Sequence, residues 1–137
     1  MIFCFVFYQE KMKRNKTTNQ IMKVIIAGSR NFINYHKLKK ECNQFFQDHK
    51  KIEIVSGCHY KGADKLGIQF ANEKGFNIVR FPAAWYTYGK AAGPIRNKEM
   101  AIYAVALIAF WDGRSRGTKN MMQLAKQKGL RVKVVLV

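Results

Sequence analysis

Seven consecutive residues, Asp112-Gly113-Arg114-Ser115-Arg116-Gly117-Thr118, hold one acid, two glycines, two guanidinium groups and two hydroxyls. They follow an apolar run, ALIAFW (106–111), and lead into a helical pattern, TKNMMQLAKQKG (118–129). These types suit an anion. A helix start presents free backbone N–H groups whose dipole attracts negative charge, and arginine supplies paired donors. Asp112 can accept hydrogen bonds from a ribose or a base. The pattern is not the phosphate loop GxxxxGK[ST], and no GxGxxG follows the first strand.

Three further stretches carry groups of the same kind. GSR (28–30) puts a glycine, a hydroxyl and a guanidinium at the end of an apolar run. SGCHYKGADKL (56–66) ends a second run and opens a helix near Gly62, and Gly57 lies in its turn. Asp64 there has two readings, as a ligand partner or as the acid that a first helical turn favours without any ligand. PAAWYTYGKAAGPIRNKEM (82–100) offers Trp85, Tyr86 and Tyr88 for stacking on a base, and Arg96 and Asn97 on a short helix. Its alternative role is a packed lid over the sheet edge.

Cleavage of an N-glycosidic bond draws on carboxylates. The candidates are Asp64, Asp112 and Glu99. Glu99 lies three residues after Arg96, a spacing that predicts a surface salt bridge. No Ser-His-Asp or Cys-His arrangement emerges. His36 and His49 are placed on the solvent side of the first helix, and His59 at the pocket edge. Cys58-His59 lacks partners at metal-ligand spacing, so no metal is expected.

The elements that must position these groups alternate. Strands are read at 23–28, 52–57, 77–83, 104–111 and 132–137, with helices at 34–49, 62–74, 94–103 and 118–128. Pro94 suits a first helical turn. Continuous apolar strands separated by helices imply an α/β, Rossmann-like three-layer sandwich. Its parallel sheet has about five strands, expected in the order 3-2-1-4-5, with helices on both faces. That order makes the first and fourth strands neighbours whose helices lie on opposite faces, and open α/β sheets bind ligands in such a crevice.

The chain of 137 residues carries 25 Lys and Arg against 8 acids, a net +17. Such an excess favours anionic partners, or is simply a solvated surface, and is silent on fold. Cys4, Cys42 and Cys58 are sparse and unpaired in spacing, which argues against a disulfide framework and fits a cytoplasm. Residues 1–22 are read as an extension ahead of one domain at 23–137. The run Ile2 to Tyr8 is too short to span a bilayer, and the basic cluster Lys11 to Lys16 follows it, the wrong order for a secretory signal. A membrane-touching segment, an extra strand and an upstream start codon are the readings, the last favoured because Met22 precedes the first strong strand. The remaining residues keep +14 of the charge.

GSR, SGCHYKGAD, PAAW with GKAAGPIRNKEM, and DGRSRGTKNMM together resemble the YspA/YpsA-related branch of the SLOG superfamily. Its kin include LOG-type (lysine-decarboxylase-like) nucleotide phosphoribohydrolases and the DNA-processing protein A domain. The resemblance covers about Lys23 to Val137 and implies a Rossmann-like domain that binds a nucleotide or its derivative. By position it implies that Gly28, Ser29 and Arg30 line the pocket floor, and that Gly57, Gly62 and Asp64 flank a ribose or phosphate. Arg96 and Asn97 match the arginine-bearing helix, and Gly113, Gly117 and Thr118 the phosphate loop; Trp85, Asp112 and Arg114 join the ligand-binding candidates on their chemistry alone. LOG enzymes carry PGGxGTxxE, whose Glu takes part in glycosidic cleavage. Here the third residue after Thr118 is Met121, and Arg114-Ser115-Arg116 interrupts the glycine pair.

Three functions follow: a nucleotide-binding sensor or sequestering protein, a nucleotide phosphoribohydrolase-like enzyme, and a single-stranded nucleic-acid binder. A nucleotide-type small molecule is the expected partner, in the cytoplasm of a bacterium or a phage-infected host. Nucleic acid and homo-oligomer formation stay open. No membrane span is expected, and no cofactor beyond a bound nucleotide.

Overall fold

The computed structural model describes residues 21–137; the readings placed on the preceding stretch lie outside the described residues. Five strands, β1 (Met22–Gly28), β2 (Ile52–Ser56), β3 (Asn77–Arg80), β4 (Ala106–Trp111) and β5 (Arg131–Leu136), form one sheet. Its order is β3-β2-β1-β4-β5, as expected, and every neighbouring pair is parallel. The register sets Ile25 beside Leu107 and Gly28 beside Phe110 in the centre of the sheet.

Helices α1 (Tyr35–Phe45) and α2 (Gly62–Lys74) pack on one face. Their Leu38, Cys42 and Phe70 meet Val24, Ile26 and Ile54 there. Helices α4 (Ala92–Tyr103) and α5 (Arg116–Gln127) cover the other face, where Met100 and Met121 meet Ile25, Val55 and Leu107. Right-handed crossovers produce this division, because the connections run outward in opposite directions from the sheet centre. Burial of alternate strand residues on both faces explains the continuous apolar runs.

Several boundaries differ from the sequence reading. The first helix ends at Phe45, where the Phe46 N–H closes on Cys42 O. His49 therefore lies beyond the helix, partly buried, with its N–H donating to Phe46 O, while His36 is exposed on α1. The segment read as a long loop folds into α3 (Trp85–Tyr88) and a 3-10 turn (Gly89–Ala91). Helix α4 then begins two residues before Pro94, whose missing N–H is harmless in a first turn. Among the described residues no helix is long and apolar enough to cross a membrane.

The two described cysteines differ in environment. Cys42 is fully buried, and burial pushes its thiol pKa up to about 12. Cys58 is partly exposed. The thiolate is the reacting species. Iodoacetamide is therefore expected to modify Cys58 in the native protein and Cys42 only after unfolding, as followed by peptide mapping. Equal native rates at the two thiols would contradict this packing.

Candidate functional site

A cleft of about 860 Å³ opens at the carboxyl edge of the central strands. The turn after β1 contributes Gly28 and Arg30, and the loop after β2 contributes Gly57, Cys58, His59 and Tyr60, with Asp64 from α2. Trp85, Lys90 and Gly93 come from the segment after β3, and Arg96 and Asn97 from α4. Ser115, Arg116, Gly117, Thr118 and Asn120 close it from the start of α5.

Glycines allow this convergence. A Cβ on Gly28 would sit 2.3 Å from Phe110 O and 2.8 Å from Ala63 Cβ. Gly62 has φ +69, and its Cβ would lie 2.3 Å from Ser29 O. The β1–α1 turn therefore rests directly on the first turn of α2, where Ala63 N donates to Ser29 O at 3.3 Å. Arg30 projects from this turn, exposed, without a side-chain hydrogen bond or ion pair among the described residues.

Arg96 and Asn97 tie α4 to two loops and to helix α5. Arg96 Nη1 donates to Gly57 O at 2.5 Å and to Phe81 O at 3.4 Å, and its Nε donates to Asn97 Oδ1. Asn97 is buried and donates to Gly117 O at 3.3 Å and Asn120 Oδ1 at 3.0 Å. The expected Arg96–Glu99 pair is absent. Glu99 is exposed outside the cleft lining, because α4 turns Asn97, Met100 and Ala101 inward and Arg96 reaches a carbonyl. Among the described residues the ion pairs are Lys39–Glu73 and Lys133–Glu41.

Among the described residues, Asp64 is the one acid lining the cleft. Its Oδ2 accepts from His59 N at 3.0 Å. Burial raises its pKa, opposed by that N–H and by the charges of Arg96 and Arg30. Arg96 Nη1 and Asp64 Oδ2 approach the site of a Gly57 Cβ to 2.5 and 3.0 Å, so a side chain there would displace the guanidinium or the carboxylate. Cys58 beside it holds φ 63, an uncommon angle for a side-chain-bearing residue.

A folded carboxyl that holds its proton more tightly than the unfolded one stabilises the protein at low pH. That contribution is lost as pH rises through the ordinary carboxylate range to the raised folded pKa. Asp64→Asn keeps an acceptor for His59 N and removes the charge. It should raise the melting temperature near neutrality, with the gain vanishing in acid. An unchanged or lower melting temperature at neutral pH would refute this reading of Asp64.

The stretch with the densest anion-favouring chemistry partly serves itself. Asp112 Oδ1 accepts from Arg114 N and Ser115 N, both at 2.8 Å, and these bonds lower its pKa. Its own N–H donates to Ser29 Oγ at 3.0 Å. Ser115 caps α5, accepting from Thr118 N at 3.3 Å, and its Oγ lies 2.9 Å from Thr118 Oγ1. The helix thus starts two residues earlier than its pattern suggests. Gly113 takes φ +81 in the turn, and neither it nor Arg114 lines the cleft. Ser29 and Asp112 face a separate cavity of about 380 Å³ beside Phe32, Ile33 and Lys37. Gly62 supports the cleft from behind without lining it.

Sequence reasoning did not single out Lys90, Ser115 or Asn120. Ser115 carried a signal, a serine three residues before a helical Thr. Lys90 and Asn120 carried none, since their place depends on how α4 and α5 meet.

Residues 22–88 match the family described as YAcAr: YspA, cpYpsA-related SLOG family, a span just under half of the 137 residues. A relative named Gene 61 protein, from Mycobacterium phage D29, is 37% identical over 78 residues. That match covers 53% of this chain and 62% of the relative, so the chain spans less than two thirds of its length. No solved structure matches.

Proposed function

We propose, for a chain whose residues 22–88 carry the YspA, cpYpsA-related SLOG pattern, that the cleft binds a nucleotide or nucleotide-derived small molecule. The chain would then act as a sensor or a sequestering protein, in the cytoplasm of a bacterium or a phage-infected host. One observation carries the reading. Arg30, Arg96, Lys90 and Arg116 surround a single cleft that also holds the start of α5 and the half-exposed ring of Trp85. Cations and helix N–H groups suit phosphate, and the indole suits a base. The volume is that of a small-ligand site. Native mass spectrometry of the purified full chain tests it, with a nucleotide-sized adduct expected after incubation with a nucleotide mixture. An unliganded spectrum at millimolar nucleotide would sink the proposal.

A second reading has its own observation, Asp64. A carboxyl held in a binding cleft with a raised pKa is placed to protonate a leaving base. The nucleotide phosphoribohydrolase-like alternative rests on this group, since Met121 occupies the place of the LOG glutamate. Release of free base on incubation, abolished in Asp64→Asn, supports it; recovery of intact nucleotide supports the binder.

A further inference from the structure

Helix α4 has two unlike faces. Asn97, Met100 and Ala101 point into the fold, whereas Ile95, Lys98, Glu99 and Ile102 are exposed on the other side. These four follow a stripe of three- and four-residue steps, the spacing by which one helix meets another. Ile102 is 61% exposed. On the preceding α3, Trp85, Tyr86 and Tyr88 are exposed as well, and the Trp85 ring lies against the first turn of α4 at Gly93. Outside the cleft, four exposed large apolar residues, Tyr86, Tyr88, Ile95 and Ile102, therefore fall on two successive α-helices. Concentrated apolar surface of this kind marks an interaction site.

The stripe is also self-complementary. Two copies of α4 packed antiparallel, about a two-fold axis between residues 98 and 99, set Ile95 against Ile102 of the second copy. The same operation sets Lys98 against Glu99 of the second copy. Both contacts occur twice, as an isologous interface requires. A polar pair at the centre of an apolar helix seam fixes its register. Each α3 would flank the far end of the other copy's α4 and add aromatic surface. We infer that this face binds a second copy of the chain through the Ile95, Lys98, Glu99 and Ile102 stripe. The inference is independent of the cleft's ligand.

The charge of the chain makes the test specific. A net +17 opposes self-association, so added salt should tighten the dimer. Binding of these aromatics and lysines to single-stranded nucleic acid would loosen with salt instead. Light scattering on the full chain is expected to give twice the mass of 15.9 kDa as concentration and salt rise. Ile102→Glu should give a folded monomer. Lys98→Glu lowers the net charge by two and so relieves the overall repulsion, yet it should weaken the dimer about tenfold or more through facing acids. Glu99→Lys should weaken it as well. The double variant Lys98→Glu, Glu99→Lys restores the pairing and should restore the dimer. A chain that stays monomeric up to about 1 mM, the weak limit of specific association, overturns the inference. So does a dimer indifferent to Ile102→Glu, or a double variant as weak as the singles.

Discussion

Gly62→Ala is expected to lower the melting temperature by about 10 °C or more. Two penalties combine. The backbone at Gly62 holds φ +69, which costs a side-chain-bearing residue roughly 1–2 kcal/mol. The added Cβ would also lie 2.3 Å from Ser29 O and 2.6 Å from Arg30 Cα. Both are backbone atoms that cannot swing aside, and overpacking of this kind costs roughly 1–3 kcal/mol more. Gly75→Ala is the control. Gly75 has a similar φ of +73 at the end of α2 but nothing within 4 Å, so it should show only the conformational cost. Thermal melts of the two variants separate the terms. Equal shifts would mean that the β1–α1 turn does not rest on α2 as described.

The second large effect concerns ligand. Arg30→Ala should weaken nucleotide binding by about tenfold to a hundredfold, since a charge-assisted hydrogen bond contributes roughly 1.5–3 kcal/mol. The melting temperature should change little, because the exposed guanidinium makes no side-chain hydrogen bond or ion pair among the described residues and acts on Asp64 only through its charge. Thr118→Val behaves differently. It removes the hydroxyl beside Ser115 Oγ, so it should weaken both the cap of α5 and the binding. Distributed phosphate contacts to nucleic acid would make either single change mild, with a steep dependence on salt. Calorimetric titration of both variants distinguishes these patterns.

The strand order was legible because alternation of apolar strands and helices leaves few parallel arrangements. The cleft's position followed from that order, so Gly28, Arg30, Gly57, Asp64, Arg96 and Thr118 do converge on it. What escaped the sequence are bonds between distant segments. Arg96 to Gly57 spans 39 residues, and Asn97 to Asn120 spans 23. A three-residue spacing suggested Glu99 as the partner of Arg96, but the packing of Asn97 and Met100 turned the guanidinium toward a carbonyl. Asp112 illustrates the opposite confusion. Its place beside glycines and arginines read as ligand chemistry, whereas its Oδ1 closes the local turn on Arg114 and Ser115. The four-residue helix WYTY is too short to leave a periodic signal.

The proposed function requires one cleft at the carboxyl edge of the sheet to hold a nucleotide-type anion through Arg30 and its neighbours. Calorimetric titration of the full chain with nucleoside mono-, di- and triphosphates, repeated with Arg30→Ala, tests this most directly. Saturable binding of at least one of them is expected, lost or weakened at least about tenfold in the variant while the fold is unchanged. No binding by any of them, or equal affinity in the two proteins, would contradict it.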